Sequence, residues 1–384
     1  MPYWRLSGFY LLYFAALGAL IPYWGLYLKS LDYDPVAIGQ LMALLMATKI
    51  IAPNIWGWIA DHTGQRMAIV RTGSLLAFLI FIGVFWAEGF WPLALTMVCF
   101  SFFWNASLPQ FEAVTLSHLV GRVRYYSRIR LWGSIGFILS VVGLGMVLDS
   151  QDAAIIPLVV VCLYFLIWLM SLAVPEKSAV THPHESIPLG QLLRQPAVAA
   201  FLAAAFFMQM GHGAYYAFYS IYLSEHGYTS AMIGQLWALG VVAEVLIFLV
   251  MHRLLNRFTA RRILMASLLL AALRWVLIGN FPDTLWLMLF AQLLHAATFG
   301  TFHAAAMHLV HHYFRGRHQG RGQALYSSLS FGAGGAVGSL YSGFLWSGAG
   351  PAVTYGVSAA VSLLAFGLIW KWVDSHEDGE EMQV

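Results

Sequence analysis

The feature that most constrains the fold is an apolar segment that occurs twice, each time with a charged residue near its middle. Residues 233–254 read IGQLWALGVVAEVLIFLVMHRL, and residues 38–59 read IGQLMALLMATKIIAPNIWGWI. Aligning the shared IGQL places Glu244 opposite Lys49, 195 residues earlier. Each segment is long enough to cross a bilayer, where an ionisable group is costly unless it faces a partner or a wet cavity. We therefore expect a duplicated membrane unit with buried charges of opposite sign.

Composition excludes a soluble globule. Of the 384 residues, 60% are hydrophobic and 10% are charged, whereas soluble domains contain about 25% charged residues. The first apolar run lacks a small-residue cleavage site, so we interpret it as a membrane span and not as a removed signal peptide. Cys99 and Cys162 lie in apolar runs and indicate neither a disulfide framework nor a metal site.

Apolar runs of about 20 residues, the length that crosses a bilayer, predict twelve transmembrane helices. The predicted bounds are 6–28, 36–60, 67–87, 91–117, 128–149, 153–174, 196–224, 230–254, 262–281, 284–312, 321–346 and 350–373. Nearly all Lys and Arg residues in the loops lie on one face, and Lys29 is alone on the other. Because positively charged loops stay in the cytoplasm, both termini are expected there.

The long polar stretch 175–195 divides the predicted spans six and six. We therefore predict an N-terminal six-helix bundle at 1–174, a cytoplasmic linker at 175–195, and a C-terminal six-helix bundle at 196–384 that ends in a short acidic tail. Since six is an even number, the two copies cross the membrane in the same direction. Glycines that would let helices approach closely occur on span five and span eleven: Gly133, Gly136, Gly332, Gly334, Gly335 and Gly338.

Charged residues inside the spans are expected to meet at one depth, because residues equally far from the turn of a helical hairpin lie at the same height. Glu112 and Arg130 are equidistant from their turn, about 9 residues or roughly 13 Å away. Glu244 and Arg274 flank the next such turn in the second half, and Arg274 and His295 flank the turn after it. We expect these charges to line a wet chamber near the bilayer centre.

Each charged group also has a purely structural interpretation. Glu112 and Arg130 are alternatively an ion pair near the cytoplasmic surface, and Glu244 and Arg274 a buried structural pair. The Lys49 side chain alternatively extends to a membrane interface.

The histidines have structural interpretations as well. His295 alternatively packs as a neutral core residue. His303, His308, His311 and His312 include pairs spaced like metal ligands, but histidines are common at helix ends near the cytoplasm, and we predict no metal site.

The loop between spans two and three resembles a cytoplasmic loop signature of the major facilitator superfamily. Residues 57–66 read GWIADHTGQR. Four residues match the signature: Gly57, Asp61, Gly64 and Arg66. His62 and Gln65 occupy positions that are basic in the signature, and the second copy lacks the glycines. The resemblance implies a cytoplasmic gate loop on the N-terminal side.

Further segments resemble the branch of that superfamily that contains the lactose permease and the phenylpropionate permease, both proton symporters. LPQFEA followed by RIRLWG is similar to the lactose permease segment whose Glu and Arg bind substrate, and these are Glu112 and Arg130 here. The phenylpropionate permease group is similar in RLWGS, AYYAFYSIY, LGVVAEVLIF and LLHAATF. The resemblance implies an all-α membrane protein with 12 transmembrane helices in two pseudo-symmetric six-helix bundles and a site between them.

The buried charges and this resemblance together define one candidate substrate-binding set. Its members are Lys49, Trp104, Glu112, Arg130, Phe137, Tyr215, Glu244, Arg274, His295 and Phe299. Phe137 stands where the lactose permease stacks an aromatic ring on its sugar. Thr298 stands where that permease has the glutamate thought to release the transported proton. Proton coupling is therefore expected at Glu244, with Glu112 and His295 as alternatives.

The candidate set has three cations, Lys49, Arg130 and Arg274, against two acids, which favours an anionic substrate. We expect a multi-pass secondary transporter of the bacterial inner membrane that takes up a small organic acid with a proton by alternating access. An aromatic carboxylate such as phenylpropionate is the expected substrate. Proton symport of a neutral sugar or nucleoside is the alternative, and a non-transporting sensor on a transporter fold is the second alternative.

The expected partners are the small-molecule substrate, the proton and the lipid bilayer, and we expect a monomer that binds no nucleic acid. No cofactor is expected, since the proton gradient would drive transport. The sequence has no nucleophile with a base at one depth, so an enzyme is not expected.

Overall fold

The computed structural model describes residues 1–177, 189–315 and 318–373. The central part of the predicted linker and the predicted acidic tail lie outside the described residues. Long helices joined by short turns make up the described chain. Because a bilayer core offers the backbone no hydrogen-bond partners, a chain this apolar satisfies its amide groups within helices.

Eleven helical segments of the described chain are long and apolar enough to cross a membrane. The first ten are α1 (Tyr3–Ser30), α2 (Pro35–Thr63), α3 (Arg66–Trp86), α4 (Phe90–His118), α5 (Tyr126–Leu148), α6 (Ala153–Ala173), α7 (Pro196–Glu225), α8 (Ser230–Arg257), α9 (Ala260–Asn280) and α10 (Leu285–Tyr313). The eleventh, Gln319–Trp372, contains two spans, because Gly350 has a non-helical φ of 84° and ψ of 173°. We label these spans α11 (319–349) and α12 (351–372), and the prediction of twelve spans is confirmed.

One span is broken and two contain π-helical segments, which the apolar pattern did not predict. α7 consists of two helices, Pro196–Gly211 and Gly213–Glu225, on either side of His212. α10 contains a π-helical segment at Ala296–Thr301, and α11 contains another at Ser328–Gly334. Such π segments are rare and frequently occur at functional sites.

The ends of α2 follow from local sequence chemistry. At its start the side chain of Asp34 accepts a hydrogen bond from the Ala37 amide at 2.7 Å, and Pro35 occupies the first turn. At its end Gly64 adopts the left-handed conformation with a φ of 69°. The segment 57–66 that resembles the superfamily signature is therefore mostly helical, because α2 continues to Thr63 and only Gly64 and Gln65 separate it from α3.

Contacts divide the described chain into two compact units. The first unit contains residues 1–177 together with Tyr216–Ala238, and the second contains residues 189–215 and the described residues from Leu239 onward. The predicted division into bundles at 1–174 and 196–384 stays a prediction.

In the first unit, α1 and α5 approach each other through glycines. A Cβ atom on Gly136 would overlap the carbonyl oxygen of Leu11, and one on Gly18 would lie 2.7 Å from the carbonyl oxygen of Phe137. Small residues at a helix crossing permit this backbone contact. The close approach expected for the glycines of span five is therefore present at Gly136.

The segment Tyr216–Ala238 packs in the first unit through the ends of α1 and α5. The Tyr23 hydroxyl of α1 lies 3.4 Å from the carbonyl oxygen of Ser230, and the amide of Ala231 donates a hydrogen bond to Asp149 Oδ1 at the end of α5 at 3.2 Å. Lys29 Nζ lies 2.6 Å from Glu225 Oε1 in an exposed ion pair. These contacts place the end of α7 beside the end of α1.

In the second unit, α7 and α11 also meet through glycines. A Cβ atom on Gly213 would overlap the backbone of Gly338, and one on Gly338 would overlap the carbonyl oxygen of Met210. Gly213 follows Gly18 by 195 residues, the offset of the repeat. Both copies therefore place a glycine on their first helix where it meets their fifth.

We expect Gly213→Val to destabilise the protein by about 1–3 kcal/mol or more, because the added methyl groups overpack the α7–α11 crossing. The melting temperature of the detergent-purified protein measures this effect. Gly356→Ala is the control, since a Cβ atom at Gly356 meets nothing within 4 Å. If both variants melted like the wild type, glycine at this crossing would have no role in stability.

Candidate functional site

Arg130 and Glu112 come together in the first unit. Arg130 Nε lies 3.8 Å from Glu112 Oε1, and the two side chains are 33% and 37% exposed. The guanidinium carbon of Arg130 lies 3.9 Å from the ring centroid of Phe14, which is close enough for a cation–π interaction. A Cβ atom on Gly133 would lie 2.8 Å from Arg130 Nη1, so this glycine leaves room for the stacked guanidinium.

Lys49 lies half-buried on α2 beside a polar cluster. Its Nζ contacts Met46 Sδ at 3.6 Å, and in the described part of the chain no carboxylate lies within salt-bridge distance of it. The neighbouring Thr48 hydroxyl accepts a hydrogen bond from Asn105 Nδ2 at 2.9 Å and donates one to Ser101 Oγ at 3.0 Å. Sequence reasoning missed this cluster, although polar side chains inside predicted spans could have indicated it.

The two aromatic candidates of the first unit are buried. Trp104 stacks on Tyr13 with ring centroids 5.3 Å apart. Phe137 is 8% exposed, and its backbone lies against Gly18. Both residues pack among α1, α4 and α5, and a contact with substrate stays a prediction for each.

Arg66 links the residues of the candidate gate loop. Its Nη2 lies 2.6 Å from Asp61 Oδ1 and its Nη1 donates to Gln110 Oε1 at 2.6 Å. Gly57 faces the same glutamine, since a Cβ atom there would lie 3.9 Å from Gln110 Nε2. The network ties the end of α2 and the start of α3 to α4.

Arg274 is fully buried on α9 in the second unit. Its guanidinium carbon lies 4.3 Å from the ring centroid of Tyr215 and 4.6 Å from that of Trp275. It donates hydrogen bonds to the carbonyl oxygen of Ala291 at 3.0 Å and to Thr298 Oγ1 at 3.5 Å. Thr298, which replaces the glutamate of the lactose permease pattern, thus serves as a neutral acceptor for this cation.

Glu244 meets His295 across the α8–α10 contact. Glu244 Oε2 lies 3.6 Å from His295 Nε2, and the side chains are 20% and 8% exposed. A Cβ atom on Gly300 would lie 2.9 Å from Glu244 Cγ, so that glycine lets the two helices approach. Glu244 therefore forms an ion pair with His295 when the imidazole is protonated, and a proton can reside on the carboxylate or on the imidazole.

His295 belongs to a stack of rings along α10. Its ring lies 5.3 Å from that of Phe299 at an interplanar angle of 7°, and 5.9 Å from that of Tyr215 at 28°. The π-helical segment Ala296–Thr301 begins directly after His295 and places Phe299 in this stack. Phe299 also contacts Phe331 of the second π-helical segment, with ring centroids 6.0 Å apart.

Arg274, Glu244, His295 and the groups that contact them form the polar centre of the second unit. Gln292 belongs to it, and sequence reasoning missed this residue. It is fully buried, and its Oε1 accepts hydrogen bonds from Tyr215 Oη at 3.0 Å and from Arg274 Nη2 at 3.5 Å. Its position three residues before His295, on the same helical face, could have indicated a role.

The sequence-predicted candidates thus divide between the two units, and the set in the second unit is the one whose members contact one another. Glu112 and Arg130 contact each other in the first unit, with Lys49, Trp104 and Phe137 elsewhere in that unit. The second unit brings together Tyr215, Glu244, Arg274, His295 and Phe299. The first set offers partly exposed cations to an anion, and the second offers an acid and an imidazole that can exchange a proton.

Comparison with known proteins identifies the family. The family model described as the MFS_1 like family matches residues 3–357. The probable 3-phenylpropionic acid transporter of Escherichia coli strain K12 is 31% identical over 95% of this chain and 97% of its own. The maltose permease of Geobacillus stearothermophilus is 26% identical over 88% of this chain and 86% of its own.

Solved structures agree on the fold. The crystal structure of a point mutant of the nucleoside transporter NupG matches 97% of this chain and 100% of that chain, with a TM-score of 0.84 and 15% sequence identity. The matched relatives are transporters and not enzymes. The chain therefore belongs to the MFS_1 like family and is a multi-pass secondary transporter of the major facilitator superfamily.

Proposed function

We propose that this transporter takes up a small organic acid together with a proton, and that the acid is an aromatic carboxylate such as phenylpropionate. We place it in the bacterial inner membrane. The single observation that carries the proposal is Lys49, an ammonium group inside a membrane span that lies 3.6 Å from the Met46 thioether. An intramembrane cation of this kind is an expected site for an anionic ligand.

The surroundings of Arg130 support the same substrate class. Its guanidinium is held over Phe14 and is one-third exposed, with Glu112 at the long distance of 3.8 Å. A planar guanidinium fixed in this way suits bidentate recognition of a carboxylate. The relative from Escherichia coli, whose name gives it a 3-phenylpropionic acid substrate, supports an aromatic acid.

Proton coupling is proposed for the pair of Glu244 and His295. The Glu244 carboxylate on α8 is 20% exposed and lies 3.6 Å from the His295 imidazole, so the two can share a proton. Thr298 on α10 is not acidic and cannot carry the proton. Glu112 beside Arg130 is the alternative proton carrier.

Uptake into proteoliposomes with an imposed inward proton gradient tests the substrate and the coupling. We expect phenylpropionate to accumulate, and lactose and uridine to remain at the background level. Uptake of uridine or lactose in place of the acid would favour the neutral-substrate alternative, for which the similarity to NupG is evidence of fold alone. Binding without counterflow would identify a non-transporting sensor.

We expect Arg130→Ala to weaken phenylpropionate binding by about 10- to 100-fold, since it removes a hydrogen bond between charged groups. The dissociation constant of the detergent-purified protein measures the effect. Arg128→Ala is the matched control, because Arg128 lies two residues earlier on the same helix and is exposed. Equal effects of both substitutions would contradict a substrate contact at Arg130.

We expect Glu244→Gln to abolish accumulation driven by the proton gradient and to retain counterflow, because the amide keeps the shape of the side chain and does not carry the proton. Transport in proteoliposomes under the two conditions provides the measurement. Glu88→Gln, which changes an exposed acid, controls for loss of a carboxylate. Loss of both activities would make Glu244 a binding or structural residue and would leave Glu112 and His295 as candidate proton carriers.

A further inference from the structure

Gln292 has a fixed orientation in the second unit. Its Oε1 accepts hydrogen bonds from Tyr215 Oη at 3.0 Å and Arg274 Nη2 at 3.5 Å. An arginine side chain only donates hydrogen bonds, so the atom that faces Arg274 is the amide oxygen. The amide nitrogen Nε2 of Gln292 therefore points away from this pair of donors with both of its hydrogens.

That nitrogen is buried and has no hydrogen-bond partner among the residues that the structure describes. The same is true of Nδ1 of His295, one turn further along α10. Buried polar atoms in folded proteins are nearly always hydrogen-bonded to protein or to bound molecules. Gln292 and His295 therefore present two such atoms on one face of α10, and the one on Gln292 is a donor that an acceptor on a bound molecule could satisfy.

Helix α8 passes this face with a glycine. A Cβ atom on Gly240 would lie 3.2 Å from Gln292 Oε1 and 3.3 Å from His295 Cδ2. Glu244, one turn later on α8, reaches His295 Nε2. The α8 residue at the level of Gln292 therefore adds no side chain that would compete for its amide hydrogens.

We propose that Gln292 is a specificity-determining residue whose Nε2 donates a hydrogen bond to a carboxylate oxygen of the transported acid. This inference rests on the proposed function, which makes the substrate a carboxylate. A carboxylate oxygen is charged and accepts a stronger hydrogen bond than the carbonyl oxygen of a neutral amide does, so this donor favours the acid. Arg274 acts through Gln292 by holding its oxygen, and it adds positive charge nearby.

The test compares binding of 3-phenylpropionate and of its neutral analogue 3-phenylpropionamide to the full-length protein in detergent, by calorimetry. We expect Gln292→Leu to weaken binding of the acid by about tenfold or more, the value of one hydrogen bond to a charged group. Binding of the amide should weaken less, by about two- to fivefold, because its uncharged carbonyl oxygen accepts a weaker hydrogen bond. A purely structural role would weaken both ligands alike.

Gln209→Leu is the matched control, since Gln209 is also a buried glutamine of the second unit and lies against Gly334 on α11. It should leave the acid-to-amide ratio unchanged. If Gln292→Leu does not fold, Gln292→Glu tests the same point, because it keeps an oxygen that accepts from Arg274 and replaces the Nε2 donor by an acceptor. We expect it to reduce acid binding selectively, with Gln209→Glu as its control.

An unchanged acid-to-amide ratio in Gln292→Leu or Gln292→Glu would overturn the inference and would leave Gln292 as a residue that holds water or packs the helices. A wild-type protein that binds neither ligand would instead overturn the proposed function itself. A wild-type protein that binds the acid, with a ratio that falls in the Gln292 variants and not in the Gln209 controls, would support both.

Discussion

The polar centre of the second unit depends on the interactions that enclose the guanidinium of Arg274. An unscreened cation in the bilayer core is costly, and arginine does not lose its proton in proteins. The structure compensates with two aromatic faces, Tyr215 and Trp275, and with oxygen acceptors on Ala291, Gln292 and Thr298. The acid Glu244 lies beside the imidazole of His295, with Oε2 3.6 Å from Nε2.

In the first unit the charged side chains are partly exposed, whereas Arg274 of the second unit is fully buried. Arg130 and Glu112 are each about one-third exposed, and the ammonium group of Lys49 lies 3.6 Å from the sulfur of Met46. This contrast fits the proposal that accessible cations in the first unit recognise the acid, whereas a fixed arginine in the second unit orients Gln292 next to a proton-carrying pair. Both arrangements reduce the cost of placing a charge inside the membrane. The first unit does so through partial exposure, and the second through hydrogen bonds and aromatic rings.

Duplication explains why the packing is similar in the two units while the chemistry differs. Gly18 and Gly213 are 195 residues apart, and each lets the first helix of its half contact the fifth. A glycine at a helix crossing has few substitutes, because any side chain would separate the backbones. Lys49 and Glu244 hold equivalent positions with opposite charge, since a side chain that faces partners or a wet cavity can change with those partners.

The twelve spans, the duplication and the residues of opposite charge at equivalent positions were all determined by the sequence. Apolar length and composition are local properties, and a bilayer converts them directly into helices. Hairpin geometry also placed Glu244, Arg274 and His295 close in depth, and all three lie in one polar centre. Resemblance to known transporters indicated the family, which the match over residues 3–357 then showed.

Only the tertiary structure decided which partner each charge takes. Depth along a helix does not specify the direction in which a side chain points, so the contacts of Arg274 with Gln292 and Thr298, and that of Glu244 with His295, could not be read from spacing. The break at His212 and the π-helical segment after His295 likewise depend on contacts between helices and not on local apolar pattern. Sequence determined which residues enter the membrane, and packing determined which of them meet, because rotation about each helix axis is fixed by its neighbours.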